Sequence, residues 1–258
     1  MSYEGPSGGG AGRGGGAGGG EPRTYRELFK GDGLVFFNCT LKETDLQIGA
    51  ARDLSVEAMG LIVELRLQLE AYIRAVPEFR TSLTPLEAAP GAPPIVRRMC
   101  EAGKRARVGP MAAVAGAMAE FVGVELLRHS PEVIVENGGD IFMKVERPRR
   151  VGIHAGRSPL SEKVALMVKP EDTPIGVCTS AGTVGPSLSF GRTDATVIVA
   201  KDTAVADAAA TAVGNRVKAP EDLKAGLRLA SRIEGVLGAV VIIGDHMGAW
   251  GEVELERF

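Results

Sequence analysis

Aromatic residues are scarce in this sequence, at eight Phe, three Tyr and one Trp, or 5% of 258 residues. Too few are present to build the stacking platforms that hold single-stranded nucleic acid. A basic excess is missing as well, since 30 Lys and Arg stand against 32 Asp and Glu for a formal charge of -2. Nucleic-acid binders carry such an excess, so nucleic acid is not an expected partner. Cysteine occurs three times, at Cys39, Cys100 and Cys178, with no CxxC pair. Neither a disulfide framework nor a thiolate zinc site is suggested, and reduced thiols in a cytoplasmic protein are the default expectation. The three histidines, His129, His154 and His246, show no HxxxH or HExxH spacing, which leaves a histidine-based zinc site unsupported. No apolar segment near the N-terminus reads as a secretory signal. The longest apolar stretch, Val108 to Leu127, is nearly long enough to cross a bilayer, but Pro110, Glu120 and Glu125 interrupt it and Ala and Gly make it weakly apolar. It reads as a helix buried by close packing of small residues, and no membrane partner is expected.

Small residues, by contrast, abound. Residues 1–22 include GGGAGRGGGAGGG, which cannot bury apolar surface, and they are expected to be a disordered tail. The remainder, 23–258, is expected to form a single domain, with a 45% hydrophobic content over the whole chain sufficient for a core. Leu34–Cys39 and Thr44–Ile48 read as a hairpin. Asp53 or Ser55 caps a long amphipathic helix carrying Met59, Ile62, Val63, Leu65, Leu69, Ile73 and Val76, and Pro77 ends it. Residues 84–94 read as a loop and Ile95 to Arg107 as a second helix. The third helix is opened by Gly109-Pro110, with Pro at or near its first position. Strands follow at Val133–Glu136, Ile141–Val145, Val151–His154, Val164–Val168, Ile175–Thr179 and Ala195–Ala200. An Ala-rich helix, a helix from Pro220 to Ile233 and strands Ala239–Ile243 and Gly251–Leu255 complete the chain. Pairs of strands alternate with paired helices rather than single crossovers. The expected fold class is therefore α+β, a two-layer domain with a largely antiparallel sheet and packed helices.

Four stretches carry candidate chemistry. In Ala204–Asn215, Asp207 and Thr211 are spaced i,i+4 and share a helix face. They are either polar residues of an Ala-rich core helix, the Thr bonded back to its own backbone and the Asp to a loop amide, or two oxygen ligands for a hard divalent cation. In Glu136-Asn137-Gly138-Gly139-Asp140 the glycines supply a tight turn. A turn alone does not require Glu, Asn and Asp together, and the cluster is a binding-site candidate. Thr179 to Thr193 links two strands with hydroxyls, Gly and one Arg. Thr179, Ser180, Ser187 and Ser189 there could cradle a phosphate or the polar edge of a ring. GPSLS within it misses the GxSxG elbow, and Cys178 beside it has no adjacent His to activate it. Gly109-Pro110 offers a helix start to an anion, with Lys104, Arg105 and Arg107 upstream; those basic residues serve equally well to complement the end of the preceding helix.

The motifs VGPMAAVAG, VENGGDI, TSAGTVGPSLSFG and ADAAATAVGN, in this order, resemble those of the ApbE superfamily of FAD:protein FMN transferases, and specifically its uncharacterised branch of short ApbE-like proteins. The resemblance covers roughly residues 25–258. It implies an ApbE-like T-fold around a flavin-nucleotide site. It also implies Mg²⁺ held by Asp207 and Thr211, with Gly138, Gly139, Asp140, Thr179 and Ser180 at matching positions. The expected ligand is FAD or a related phosphate or nucleotide. Two departures stand out. The His-containing segment that follows the Thr-Ser in the transferases is replaced by GPSLSFGRT, and Ala113 and Ala115 stand where the transferases have Lys and Tyr. An alternative follows, a binding or accessory protein without transferase chemistry, with a link of some relatives to anaerobic sulfur and homocysteine metabolism giving Cys178 a sulfur-carrier role. Gly and Ala on the helices also allow a homo-oligomer to pack closely.

Overall fold

The strands of this chain read as nearly continuous apolar runs, such as VIV at 133–135, IFM at 141–143, VIV at 197–199 and VVII at 240–243. A run that is apolar on both parities needs cover on both faces of its sheet. The computed structural model, which describes residues 33–182 and 191–257, provides that cover. The tail of residues 1–22 and the candidates Ser187 and Ser189 lie outside the described residues.

Eight strands form one antiparallel sheet. They are β1 (Val35–Leu41), β2 (Thr44–Ala50), β3 (Val133–Asn137), β4 (Asp140–Lys144), β7 (Ile175–Ser180), β8 (Ala195–Ala200), β9 (Val236–Ile243) and β10 (His246–Gly251), in that spatial order. Between β4 and β7 the chain leaves to make β5 (Arg149–Gly152) and β6 (Val164–Val168), which join β11 (Glu254–Arg257) in a small antiparallel sheet ordered β11-β6-β5. Ile134, Ile141, Met143, Val177, Val197 and Val240 pack with Val151, Leu166 and Val168 of the small sheet. Their neighbours of opposite parity, including Val133, Val135, Phe142, Cys178, Ile198 and Val241, pack against the helices. The α+β class and the antiparallel sheets follow expectation. The layer count is three rather than two, because both faces of the large sheet are apolar.

The helices are α1 (Ser55–Ala75), α2 (Glu78–Thr81), α3 (Pro94–Ala106), α4 (Val114–Leu126), α5 (Thr203–Arg216) and α6 (Leu223–Ala230). α1 begins at Ser55, but neither expected residue is its cap: Leu54 takes the N-cap position without a side-chain bond, and the Asp53 carboxylate just before it accepts the Ser55 amide at 2.8 Å. The expected single helix over 108–127 is instead a short 3₁₀ turn, Pro110–Ala113, followed by α4. The expected strand over 251–255 is also divided, its two ends falling in β10 and β11 of different sheets. Among the described residues no single helix is long and apolar enough to cross a membrane. One pair, Pro94–Ala106 with Pro110–Leu126, passes on length and composition together but is bent by 104°.

Candidate functional site

The turn between β3 and β4 is set by its glycines. Asn137 pairs with Asp140, leaving Gly138-Gly139 as a two-residue loop with φ of +69° and +104°, the double positive φ of a type I′ hairpin. The three polar residues around it do separate work. Glu136, fully buried, accepts the Gly139 amide at 2.8 Å and braces the loop. Asn137 donates its side-chain amide to the Ala115 carbonyl at 3.1 Å, fastening the hairpin to the start of α4. Asp140 lies on the helix-covered face, as its cross-strand partner Cys178 does. Glu136 lies on the other face, paired with Ile141. Strand alternation therefore splits the acidic cluster.

α5 crosses above Asp140 and Cys178. It is capped by Asp202, whose carboxylate accepts the Val205 amide at 3.0 Å, and by Glu120 of α4, which accepts the Thr203 amide at 2.7 Å. One turn in, Asp207 Oδ2 accepts the Gly116 amide at 2.8 Å. Gly116 permits the approach: a Cβ there would stand 2.4 Å from the Thr203 carbonyl oxygen and 2.7 Å from Asp207 Cβ. Asp207 thus occupies the amides at the start of α4, a place where carboxylates are favoured.

The electrostatics of this place are one-sided. Burial lifts the Asp207 carboxyl to about 7 even though the Gly116 and Ala115 amides pull it down. Asp207 retains some exposed surface, yet protein atoms surround it closely enough to remove most of its hydration. Asp140 is pushed well above the usual carboxylate range, first by burial and then by the negative charges of Asp207 and Glu136. The Cys178 thiol is raised for the same reasons, burial first and the two aspartates after it. Its Sγ–H reaches the Thr203 carbonyl at 3.4 Å. A largely desolvated carboxylate pair, with no opposing charge among the described residues, calls for a proton or a cation. Its donors are hard oxygens of the kind Mg²⁺ takes, and the set fits a divalent ion in chemistry and charge. Among the described residues no group of three or more His, Cys, Asp or Glu side chains gathers to hold a metal. Further ligands would come from hydroxyls, backbone or solvent.

Hydroxyls lie along the same face of α5. Thr211 follows Asp207 by one turn and is half-buried. Beneath Gly214, a turn further, come Thr196, Thr193 and Ser180, whose hydroxyl oxygens would lie 3.4, 3.6 and 3.8 Å from a Cβ at that position. Ser180 and Thr196 are cross-strand partners, and Thr196 Oγ1 lies 3.0 Å from Thr193 Oγ1. Thr179 points to the opposite face, and its amide donates to the Gly139 carbonyl at 3.2 Å. The structure therefore brings Asp140, Ser180, Asp207 and Thr211 along one side of α5. Glu136, Asn137, Gly138, Gly139 and Thr179 build and fasten the turn beside them.

Gly109 and Pro110 stand apart. Both are buried, and a Cβ on Gly109 would fall 1.8 Å from the Ser82 carbonyl oxygen, so this backbone is pressed against another chain segment. The helix-start amides that could meet an anion are those of Ala115 and Gly116, and Asp207 takes them. Lys104 and Arg105 pair with Glu87 and Glu101. Sequence reasoning missed Gly116, Thr196 and Glu120, and had Thr193 only as the end of a candidate loop. Only Glu120 had a signal, an acid inside a small-residue helix. It forms a partly buried cluster with Arg98 and Asp202, at 3.6 Å from the Arg98 guanidinium. Cys178 is fully buried with a raised thiol, which removes the structural basis for a sulfur-carrier role at that residue.

A family model described as AbpE bacteria matches residues 26–244. A UPF0280 protein of Methanosarcina acetivorans is 42% identical over 216 residues, 83% of this chain and 85% of the relative. A UPF0280 protein of Methanothrix thermoacetophila is 44% identical over 198 residues, 76% of this chain and 83% of the relative. Among solved structures, the apo flavinyl transferase ApbE of Pseudomonas stutzeri superposes with a TM-score of 0.55 at 16% identity, covering 84% of this chain and 94% of that one. The flavin transferase ApbE of Vibrio cholerae gives 0.54 at 12%, covering 84% and 96%. At such identities the likeness is one of fold.

Proposed function

This chain belongs to the AbpE bacteria family, and from that membership we propose that residues 23–258 form one domain that binds a flavin nucleotide, FAD above all, or a related phosphate ligand, together with a divalent metal such as Mg²⁺. The observation that carries this reading is the pair of desolvated carboxyls Asp140 and Asp207, raised with no cationic side chain among the described residues offsetting them, set beside the hydroxyls of Thr211 and Ser180 in a fold shared with flavin transferases. Asp207 and Thr211 would hold the metal, with Asp140 adding negative charge from below. When bound, the cation supplies charge neutralisation to the oxygens of a phosphoryl group. The chain's own contributions are positional. Asn137 and Glu136 keep the Gly138-Gly139 turn and Asp140 in register, Gly116 fixes Asp207 through its amide, and Ser180 offers a donor to a ligand oxygen. Transferase-type chemistry on a flavin nucleotide is the reaction class this arrangement suits. A cytoplasmic protein with small-molecule rather than nucleic-acid or membrane partners agrees with the balanced charge.

Calorimetric titration of purified protein with FAD, with and without millimolar Mg²⁺, tests the reading. Metal-dependent binding that is lost in Asp207→Ala is the expected result, and no heat with any flavin nucleotide at millimolar Mg²⁺ would overturn it. A second reading, a binding protein without transferase chemistry, is favoured by the segment GPSLSFGRT, which lacks the histidine of the transferases. Cleavage of the FAD pyrophosphate by the purified protein, absent in Asp207→Ala, would exclude that second reading.

A further inference from the structure

The large sheet ends at β10, and the edges of the small sheet show what that end lacks. β11 (ELER) carries charge at Glu254, Glu256 and Arg257, and β5 (RRVG) presents Arg150 to solvent. Charged side chains of this kind keep an edge strand from pairing with another chain. β10 reads HMGAWG, with no carboxylate, lysine, arginine or proline. All six of its residues pair in unbroken register with β9. The segments at both of its ends are described. The chain turns in from β9 through Gly244 and Asp245 and leaves through Glu252, whose amide donates to the Leu237 carbonyl at 2.9 Å. Among the described residues no strand pairs with the outer side of β10.

Apolar side chains stand on both faces of this edge. Met247 is 42% exposed and Trp250 37%, and Ala249 between them is exposed as well. Strand alternation puts His246, Gly248 and Trp250 on the helix-covered face, opposite Ile243, Val241 and Ala239. Met247, Ala249 and Gly251 take the other face, opposite Ile242, Val240 and Gly238. Each large side chain of the strand therefore shares its face with a glycine. A Cβ on Gly248 would fall 2.9 Å from Leu227 Cδ1 and 4.0 Å from Leu223 Cβ. The bare backbone of Gly248 thus lies against the half-buried leucines of α6.

We propose that β10 is the interface of a two-fold homodimer, pairing antiparallel with β10 of a second copy about an axis at Ala249. Residues opposed across such an axis must share a face, so the axis passes through a residue position. Centred on Ala249, the strand is complementary to itself on both faces. Trp250 of one copy lies opposite Gly248 of the other, next to its Leu227. Met247 lies opposite Gly251. His246 comes beside Glu252, an imidazole facing a carboxylate. Every knob then faces a hole, as an isologous contact requires, and cross-strand neighbours of this kind stabilise a pairing. Centring on Gly248 instead would set glycine against glycine and place His246 against Trp250.

Sedimentation velocity of the full chain at about 1 to 100 µM reads the association, and hydrogen exchange reads the β10 amides. The expected result is a species of twice the chain mass, with β10 protection that grows with concentration. Ala249→Lys and Ala249→Glu each place like charges across the axis, and each alone should be monomeric with unchanged circular dichroism. Mixed together they should recover the dimer as a one-to-one pair, which misfolded variants cannot do. A wild-type chain that stays monomeric at 100 µM overturns the proposal. So does a dimer that survives in either variant alone, a mixture that stays monomeric, or β10 amides protected equally at every concentration. Flavin and metal binding play no part in these outcomes, since Ala249 is exposed on a strand three places from β7.

Discussion

Asp207→Asn should make stability fall less steeply as pH rises from about 4 to 7. In the folded chain the Asp207 carboxyl is raised from 3.8 to about 7, so the native state holds its proton more tightly than the unfolded chain does. Below about pH 4 both states are protonated and the shift has no effect on stability. As pH climbs from there to about 7, the unfolded state gives up its proton freely and the native state does not, so stability falls. Above 7 the full penalty is present. The interval spans roughly three pH units at about 1.4 kcal/mol each, or about 4 kcal/mol as an upper figure for this carboxyl. Asp140 is raised too and acts in the same direction. The amide of Asn keeps an oxygen for the Gly116 N–H and carries no charge to desolvate. The variant should therefore match wild type near pH 4 and exceed it by up to about 4 kcal/mol at pH 8. Urea unfolding at half-unit pH steps, without divalent metal, reads both curves. Millimolar Mg²⁺ at pH 8 should recover part of the difference in wild type and none in the variant. A wild-type stability that rises between pH 5 and 7, or a variant with the same pH slope as wild type, would refute the electrostatic account of the site.

Three further outcomes follow from the packing. Gly116→Ala inserts a methyl 2.4 Å from the Thr203 carbonyl oxygen and should cost about 1–3 kcal/mol in chemical denaturation; a neutral result would mean that α4 and α5 are not in contact there. Glu132→Ala removes a carboxylate 2.7 Å from the buried Arg149 guanidinium, with both side chains 8% exposed, and should destabilise by about 3–5 kcal/mol. Glu132→Gln, which keeps a hydrogen-bond acceptor, should lose less. Iodoacetamide at pH 8 should leave Cys39, Cys100 and Cys178 unmodified in native protein, because all three are buried and their thiols are raised chiefly by desolvation. Rapid native labelling of Cys178, read by peptide mass spectrometry, would reopen a sulfur role for it.

Much of the fold was legible because its signals are local. The strands announce themselves as apolar β-branched runs, and α1 as an amphipathic repeat between Asp53 and Pro77. What escaped was set elsewhere in the chain. β10, with its Gly248 and Gly251, lacks a strand's composition and is held by pairing to β9. The helix expected from Val108 breaks into a 3₁₀ turn where Gly109 is pressed against Ser82. Turn geometry at Gly138-Gly139 was legible from two adjacent glycines. The division of labour around it was not, because it depends on parity across the hairpin: Glu136 and Asp140 fall on opposite faces of one sheet. The partner of Asp207 is Gly116, 91 residues away, and no local pattern points from one to the other.

That long-range contact changes what the Asp207-Thr211 pair means. Considered on α5 alone, the pair was either two polar residues bonded to backbone or two metal ligands. In the folded chain Asp207 does what the first alternative expected of it, accepting a backbone amide, and the amides are those at the start of α4, so that it ties α4 to α5. Helix-start amides stabilise a carboxylate, and had they sufficed here the carboxyl would sit at or below its ordinary value. It sits near 7 instead, so desolvation outweighs the amides, and its charge in turn helps to raise Asp140 beneath. A purely structural cap would be served as well by Asn, which accepts the same amide without the penalty. On the proposed function, a positive ligand would offset the cost that this aspartate, beside a second raised carboxyl, carries at neutral pH.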